Sequence, residues 1–261
     1  MEVVPLATAD EIGRLAADAV ERLVSERPQA VLGLATGSSP LPAYAELAAR
    51  VRAGTAPSYD EVRAFLLDEY VGLPAGHDQS YRATIRRELT DALGLRPDQV
   101  ESPDPDPAGL PTAGPRYERR IAEAGGIDLQ ILGIGGDGHL AFNEPGSSLA
   151  SRTRLKTLTD RTRHDNARFF GSFDEVPRHV VTQGLGTILE AGHLVLLAAG
   201  AAKAEAVAAA VEGPLSASCP ASVLQLHPHV TVLLDDEAAS RLHRADYYHE
   251  VYVNKPGWQH L

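Results

Sequence analysis

The chain has 261 residues, 44% of them apolar, and a formal net charge of −11. That length buries a sizeable core in one large domain or two small ones, while the acidic balance disfavours nucleic acid, whose binding needs many lysine and arginine contacts to phosphate. A lone Cys219 excludes an internal disulfide and zinc spacing, and the N-terminus lacks a basic and apolar signal pattern. The longest apolar region, Leu194 to Val211, is broken by Lys203 and Glu205, so no membrane span and a cytosolic location are expected.

Thr8 with Glu11 three residues on is a capping-box pattern, and Ile12, Leu15, Ala19, Val20 and Leu23 follow at helical spacing. Ala30 to Ala35 is a short apolar run that predicts a central strand, broken by Thr36-Gly-Ser-Ser39 and followed by a helix from Pro40 with Leu41, Tyr44, Leu47 and Val51 inward. Backbone NH groups at such a helix start attract anions, and Gly37, Ser38 and Ser39 add close approach and hydroxyl donors. The turn lacks the Gly-Lys-Ser/Thr of a Walker loop, and a Ser-rich cap without a ligand is a common alternative. Val62 to Leu67 predicts a second strand ending in Asp68-Glu69-Tyr70, with Asp68 emerging directly from the core. Helices are expected over Ser80 to Leu93 and Tyr117 to Ala124, with a rigid Pro-rich surface loop from Glu101 to Pro115 between them and no domain boundary.

Leu129, Ile131, Leu132 and Ile134 predict a strand buried on both faces. It stops in Gly133-Ile-Gly-Gly-Asp-Gly-His, whose glycines permit tight turns that could gather Asp137, His139 and Glu144, a set suited to proton transfer. Residues 151 to 168 then carry six lysines or arginines against two aspartates, a local reversal of charge that points to an anionic ligand, with a solvated basic surface as the reading for most of the six. His193 to Leu197 and His229 to Leu234 predict two more strands. Lys203 falls in the first turn of an Ala-rich helix, where a cation is disfavoured unless it serves an anion.

Strands alternating with helices imply an α/β fold with a mostly parallel sheet covered on both faces, whose ligands bind beyond the carboxyl ends of the strands. Gly37 to Ser39, Asp68, Asp137 to Glu144 and Lys203 each follow a different strand. Gly37, Ser38, Ser39 and Lys203, with an arginine of the basic stretch, suit a phosphate and Asp68, Asp137, His139 and Glu144 suit proton movement, so a phosphorylated metabolite is the expected substrate class; a dinucleotide fits poorly without Gly-x-Gly-x-x-Gly.

Ala35-Thr-Gly-Ser-Ser-Pro40, Leu67-Asp-Glu-Tyr-Val-Gly-Leu-Pro74, Gly133 to Ser148 and Leu224-Gln-Leu-His-Pro228 resemble the glucosamine-6-phosphate deaminase family across nearly the whole chain. Ser39 stands where threonine is common in that family, and Leu66-Leu67 where Asn-Met often precedes the aspartate. The related 6-phosphogluconolactonases share the Asp-Gly-His segment, whereas Phe142-Asn-Glu-Pro145 and Asp68-Glu-Tyr-Val71 favour the deaminase. The resemblance implies a single Rossmann-like, doubly wound domain over residues 1 to 261 and an enzyme, classed as a hydrolase, that turns glucosamine-6-phosphate into fructose-6-phosphate and ammonia by an aldose-to-ketose isomerisation with deamination, without metal or organic cofactor. It implies Asp68, Asp137, His139 and Glu144 in catalysis and Gly37, Ser38, Ser39, Arg168 and Lys203 at the substrate phosphate. It further implies that Met1, Ser147, Arg154, Lys156, Thr157 and Tyr248 hold an activating N-acetylglucosamine-6-phosphate between subunits of a homo-oligomer, a hexamer being favoured. Arg154 and Lys156 would share a face of an extended segment. A lactonase and a non-catalytic sugar-phosphate sensor are the alternatives, the first separated by ammonia release and the second disfavoured by the four proton-transfer groups.

Overall fold

The computed structural model describes residues 1–160, 162–164 and 166–261. Seven strands form one sheet: β1 (Glu2–Leu6), β2 (Val31–Leu34), β3 (Arg63–Leu66), β5 (Val100–Glu101), β6 (Leu129–Gly133), β9 (His193–Ala198) and β10 (Val230–Asp235). Their order is β1-β10-β9-β6-β2-β3-β5, and every neighbouring pair is parallel. The central strands are buried on both faces, which is why they appear as mainly apolar runs, with Gly33 and the buried Gln130 inside them, rather than as alternation.

The flanking helices are α1 (Ala9–Glu26), α2 (Leu41–Ala53), α3 (Tyr81–Ile85), α4 (Asp91–Leu93), α5 (Leu110–Glu123), α6 (Asp160–Asn166), α7 (Leu185–Ile188), α8 (Ala204–Val211), α9 (Asp236–Ala239) and α10 (Ala245–Val253). The expected capping box starts α1, with Thr8 Oγ1 accepting from Glu11 N and Glu11 Oε2 accepting from Thr8 N. Between α3 and α4 the run makes one π turn over Arg86–Thr90. No described helix is long and apolar enough to cross a membrane.

Three features depart from expectation. The Pro-rich stretch is not all loop: α5 begins at Leu110, with Pro111 near its start, where no intrahelical NH bond is required, and Pro115 inside it. Gly114 lets α5 lie directly on the backbone of Thr153, because a Cβ there would collide with its carbonyl oxygen. A second, antiparallel sheet joins β4 (Asp68–Tyr70), β8 (His179–Thr182) and β7 (Arg154–Thr157). Lys203 ends a short 3-10 turn, Ala201–Lys203, and caps α8 rather than lying within its first turn.

The second sheet explains the placement of Asp68. Leu67 N still donates to Leu34 O of β2 at 3.3 Å, and one residue later Asp68 already faces Thr182 of β8. The chain therefore changes sheets at Leu67–Asp68, at the carboxyl end of β3. Tyr117 Oη donates to Leu66 O at 2.6 Å and Gln183 Nε2 donates to the same oxygen at 3.1 Å, pinning the crossing from two sides.

Candidate active site

Beyond the carboxyl ends of β2 and β6 the strand order reverses: β2 leads outward to β3 and β5, β6 to β9 and β10. A crevice opens at such a switch point. Here it is a cavity of about 740 Å³, and Gly37, Ser38, Ser39, Asp68, Asp137, His139, Glu144, Arg168 and Lys203 all line it. Nine residues from five separate stretches of sequence thus converge on one space.

The floor comes from β2 and its turn. Tyr44 of α2, fully buried, donates from its hydroxyl to Ala35 O at 2.8 Å and accepts from Ala35 N at 3.1 Å, fixing the point where the strand ends. Gly37 then takes φ +97°, a conformation that favours glycine, and turns the chain toward Ser38 and Ser39 at the entry to α2.

Asp68 forms one wall and is 6% exposed. Burial, with Glu69 beside it, holds its carboxyl well above the usual carboxylate range. The two adjacent acids have different tasks. Glu69 accepts from Tyr70 N at 2.8 Å, Tyr81 N at 2.9 Å and Arg82 N at 3.0 Å, so it is consumed in holding the start of α3. The Asp68 carboxylate accepts no hydrogen bond among the described residues and faces the cavity.

The opposite wall is the loop after β6. Asp137 Oδ1 lies 2.6 Å from His139 Nδ1, off the line of a ring N–H bond, and accepts from His139 N at 3.2 Å. The imidazole lies against Gly135, where a Cβ would strike the ring, so this glycine is required by a close approach. Between His139 and Glu144, Ala141 adopts φ +50°, a left-handed conformation that costs a non-glycine residue about 1–3 kcal/mol. The loop is held around it by fully buried Asn143, whose Nδ2 donates to Leu140 O at 3.0 Å and to Gln183 O at 2.8 Å. Glu144 Oε1 accepts from Thr162 Oγ1 of α6.

Lys203 and Arg168 complete the cationic end. Burial pushes the Lys203 ammonium below its ordinary range and Arg168 adds to this, while Asp137 acts in the other direction. An anion in the cavity would reverse that penalty.

The basic stretch contributes less than its charge suggested. Of its lysines and arginines only Arg168 lines the cavity among the described residues; Arg161 lies outside them. Arg152 pairs with Glu118 and Glu190, and Arg163 is buried against the carbonyls of Phe173 and Val176. Arg154 Nη1 donates to Asn143 Oδ1 at 2.8 Å, and burial lowers its guanidinium pKa. Arg154 and Lys156 do share the less exposed face of β7, whose exposure alternates. Ser147 is buried with an unpartnered hydroxyl, Thr157 is exposed, and Met1 and Tyr248 line a different cavity, of about 540 Å³, near β1 and α10. Within one chain the six residues expected at an activator are therefore not gathered.

Tyr81, Ala141, Phe142, Thr159, Thr162 and Asn166 also line the active-site cavity and were not anticipated. Thr159 and Thr162 carried one legible signal, the spacing of a helix cap: Thr159 Oγ1 accepts from Thr162 N at 3.2 Å.

The model of the family described as glucosamine-6-phosphate isomerases/6-phosphogluconolactonase matches residues 5–233. A glucosamine-6-phosphate deaminase of Pseudarthrobacter chlorophenolicus is 59% identical over 259 residues, covering 99% of each chain. One of Arthrobacter sp. (strain FB24) is 60% identical over 262 residues and covers 100% of each. Among solved structures, one described as a monomeric glucosamine-6-phosphate deaminase superposes with TM-score 0.88 at 39% identity, covering 92% of this chain and all of that one. The 6-phosphogluconolactonase of Trypanosoma brucei, 22% identical with TM-score 0.74 and covering 92% of this chain and 98% of its own, shares the fold. These findings correct the expected reaction class: the family is described by isomerases, so the hydrolase assignment gives way to an isomerase-type reaction, the aldose-to-ketose change. The chain belongs to the glucosamine-6-phosphate isomerase/6-phosphogluconolactonase family.

Proposed function

We propose that the protein converts glucosamine-6-phosphate to fructose-6-phosphate with release of ammonia, using the whole chain as one catalytic domain. The observation that carries this reading is the cavity itself, whose lining joins a buried Asp68 that accepts no hydrogen bond among the described residues, the Asp137–His139 pair and Glu144 with Gly37, Ser38, Ser39, Lys203 and Arg168. His139 assists ring opening, with Asp137 and Glu144 orienting it. Asp68 takes the C2 proton to give an enolamine and returns it to C1; water then adds at C2 and ammonia leaves. A base with a raised pKa suits this task, because a general base works best when its pKa lies near the operating pH. Incubation of the protein with glucosamine-6-phosphate should yield equal amounts of ammonia and fructose-6-phosphate. Turnover of 6-phosphogluconolactone with no ammonia from the amino sugar would overturn the proposal in favour of a lactonase.

Regulation and assembly belong to the same proposal. N-acetylglucosamine-6-phosphate activates the enzyme by engaging Ser147, Arg154, Lys156 and Thr157 of one copy with Met1 and Tyr248 of another in a cytoplasmic hexamer. The support is that Arg154 and Lys156 share one face of β7 and that Arg154 already touches Asn143 of the catalytic loop. The relative with a solved structure described as monomeric makes mass the decisive measurement. A hexamer whose rate at low substrate rises with the activator, and no longer rises in Arg154→Ala, is expected; a monomer with a flat response refutes this part.

A further inference from the structure

Behind the catalytic loop lies a tight segment, residues 214 to 222, that does not line the active-site cavity. Two backbone hydrogen bonds join it to the loop. Ala221 N donates to Gly138 O at 2.8 Å, between Asp137 and His139, and Ala217 O accepts from Gly146 N at 2.8 Å, two residues beyond Glu144. Both ends of the stretch that holds the acid and histidine groups are therefore tied to one short backbone segment.

The segment's shape depends on one side chain. Ser222 is fully buried, and its hydroxyl accepts from Ser216 N at 2.9 Å and donates to Ser216 O at 3.0 Å. One hydroxyl thus satisfies both polar groups of a single residue and closes a ring that contains Ala217 and Ala221. Ser216 also pairs with Cys219, whose N donates to Ser216 O at 3.1 Å. Cys219 Sγ fills the space beneath Gly138: a Cβ on that glycine would meet the sulfur at 2.6 Å, and Gly138 has φ +83°. The 3-10 turn Pro220–Leu226 packs on α8, the helix that Lys203 caps, and Gln225 Nε2 donates to Ala210 O at 2.9 Å.

We infer that Ser222 is a positioning residue for the reaction: by closing the 214–222 segment it fixes the separation of the Asp137–His139 pair from Glu144. The inference rests on the proposed deaminase chemistry for its kinetic consequence, while its geometric content stands apart from the substrate. Replacing the hydroxyl leaves Ser216 N without its acceptor and Ser216 O with Cys219 N alone, so the segment relaxes and both anchors shift. Displacements of about 1 Å remote from the reacting atoms cost up to roughly a hundredfold in rate.

Ser222→Ala should lower kcat for ammonia release by about ten- to a hundredfold, with KM changed less than about twofold, since Ser38, Ser39, Arg168 and Lys203 are not held by this segment's ring. In the free protein, the imidazole nitrogen resonances of His139, assigned by their loss in His139→Gln, should move in Ser222→Ala. Unchanged kcat per folded molecule together with unmoved His139 resonances, with only a lower urea midpoint, overturns the inference and leaves Ser222 a structural residue. If Ser222→Ala does not fold, Cys219→Val tests the same support by adding bulk beneath Gly138. The same fall in kcat supports the inference, and wild-type kcat overturns it. Should the wild-type protein release no ammonia while the His139 resonances still respond to Ser222→Ala, the deaminase reading fails and the positioning stands.

Discussion

Burial disfavours the charged forms of both Asp68 and Lys203, raising the first pKa and lowering the second. Burial holds the Asp68 carboxyl above its unfolded value, so the folded state binds the proton more tightly; stability is full below the unfolded pKa of about 4 and declines as pH rises through the folded pKa. Asp68→Asn removes that decline. We expect this variant to be more stable than wild type at pH 8 by urea denaturation, yet slower by roughly 100- to 10,000-fold, because an amide cannot accept the C2 proton. A variant that keeps near wild-type turnover would show that another group is the base. Lys203→Ala should act on binding: it removes a charge-assisted contact made in both ground and transition states, so KM rises while kcat holds. Steady-state kinetics with an unchanged KM and a collapsed kcat would place Lys203 in the chemistry instead.

Among the elements, the most legible were those whose burial is uniform. The runs around Leu32, Ile131 and Leu196 carry no polar alternation because helices cover both faces, and the Thr8–Glu11 cap marks α1 by its own chemistry. The second sheet was hidden for physical reasons. Strand β4 has three residues continuous with a longer apolar run, and β7 alternates Arg154, Leu155, Lys156 and Thr157 with the apolar residue exposed, the reverse of an ordinary strand. Pro111 and Pro115 masked the start of α5. The loop after β6 was readable from its glycines, whereas the 214–222 segment had no signal, since its hydrogen bonds to that loop run from backbone to backbone. Charge misled in the basic stretch, most clearly at Arg163. This residue is 2% exposed, donates from Nε and Nη2 to Val176 O at 3.2 and 3.0 Å, and lies 4.0 Å from the ring centroid of Phe173. It anchors the segment that brings Thr162 and Arg168 to the cavity. Arg163→Met should therefore raise KM by about tenfold, equivalent to about 1.4 kcal/mol, and speed proteolytic cleavage between residues 160 and 176. Wild-type KM with wild-type protease resistance would show that the segment is held elsewhere.

At the scale of the whole molecule, acid should act first where β9 meets β10. His193 lies 3.6 Å, centroid to centroid, from the parallel ring of His229, and its Nε2 is 2.9 Å from Thr231 Oγ1. Burial, then the charges of His229 and His227, push the His193 imidazole down to about 3. The unfolded chain binds this proton more readily, so the associated stability is present above about pH 6.5 and is lost as pH falls toward about 3. Urea midpoints measured from pH 8 to pH 4 should fall less steeply in His193→Gln than in wild type; parallel curves would place the acid sensitivity elsewhere. These strands also set the order in which the protein can be completed. Among the described residues β1 pairs only with β10, which is made far later. On a ribosome adding about 5–20 residues per second, β1 leaves first and then waits on the order of ten seconds to a minute for its partner. An unpaired strand is a template for the wrong chain, and β1 meets that interval with Glu2 at its start and Pro5 within it, one a charge and the other lacking an NH. In the finished protein Glu2 pairs with Lys255 at 2.6 Å and α10 packs on β1, so before those later residues are made it falls to the free charge of Glu2 and the missing NH of Pro5 to keep the newborn strand from pairing wrongly.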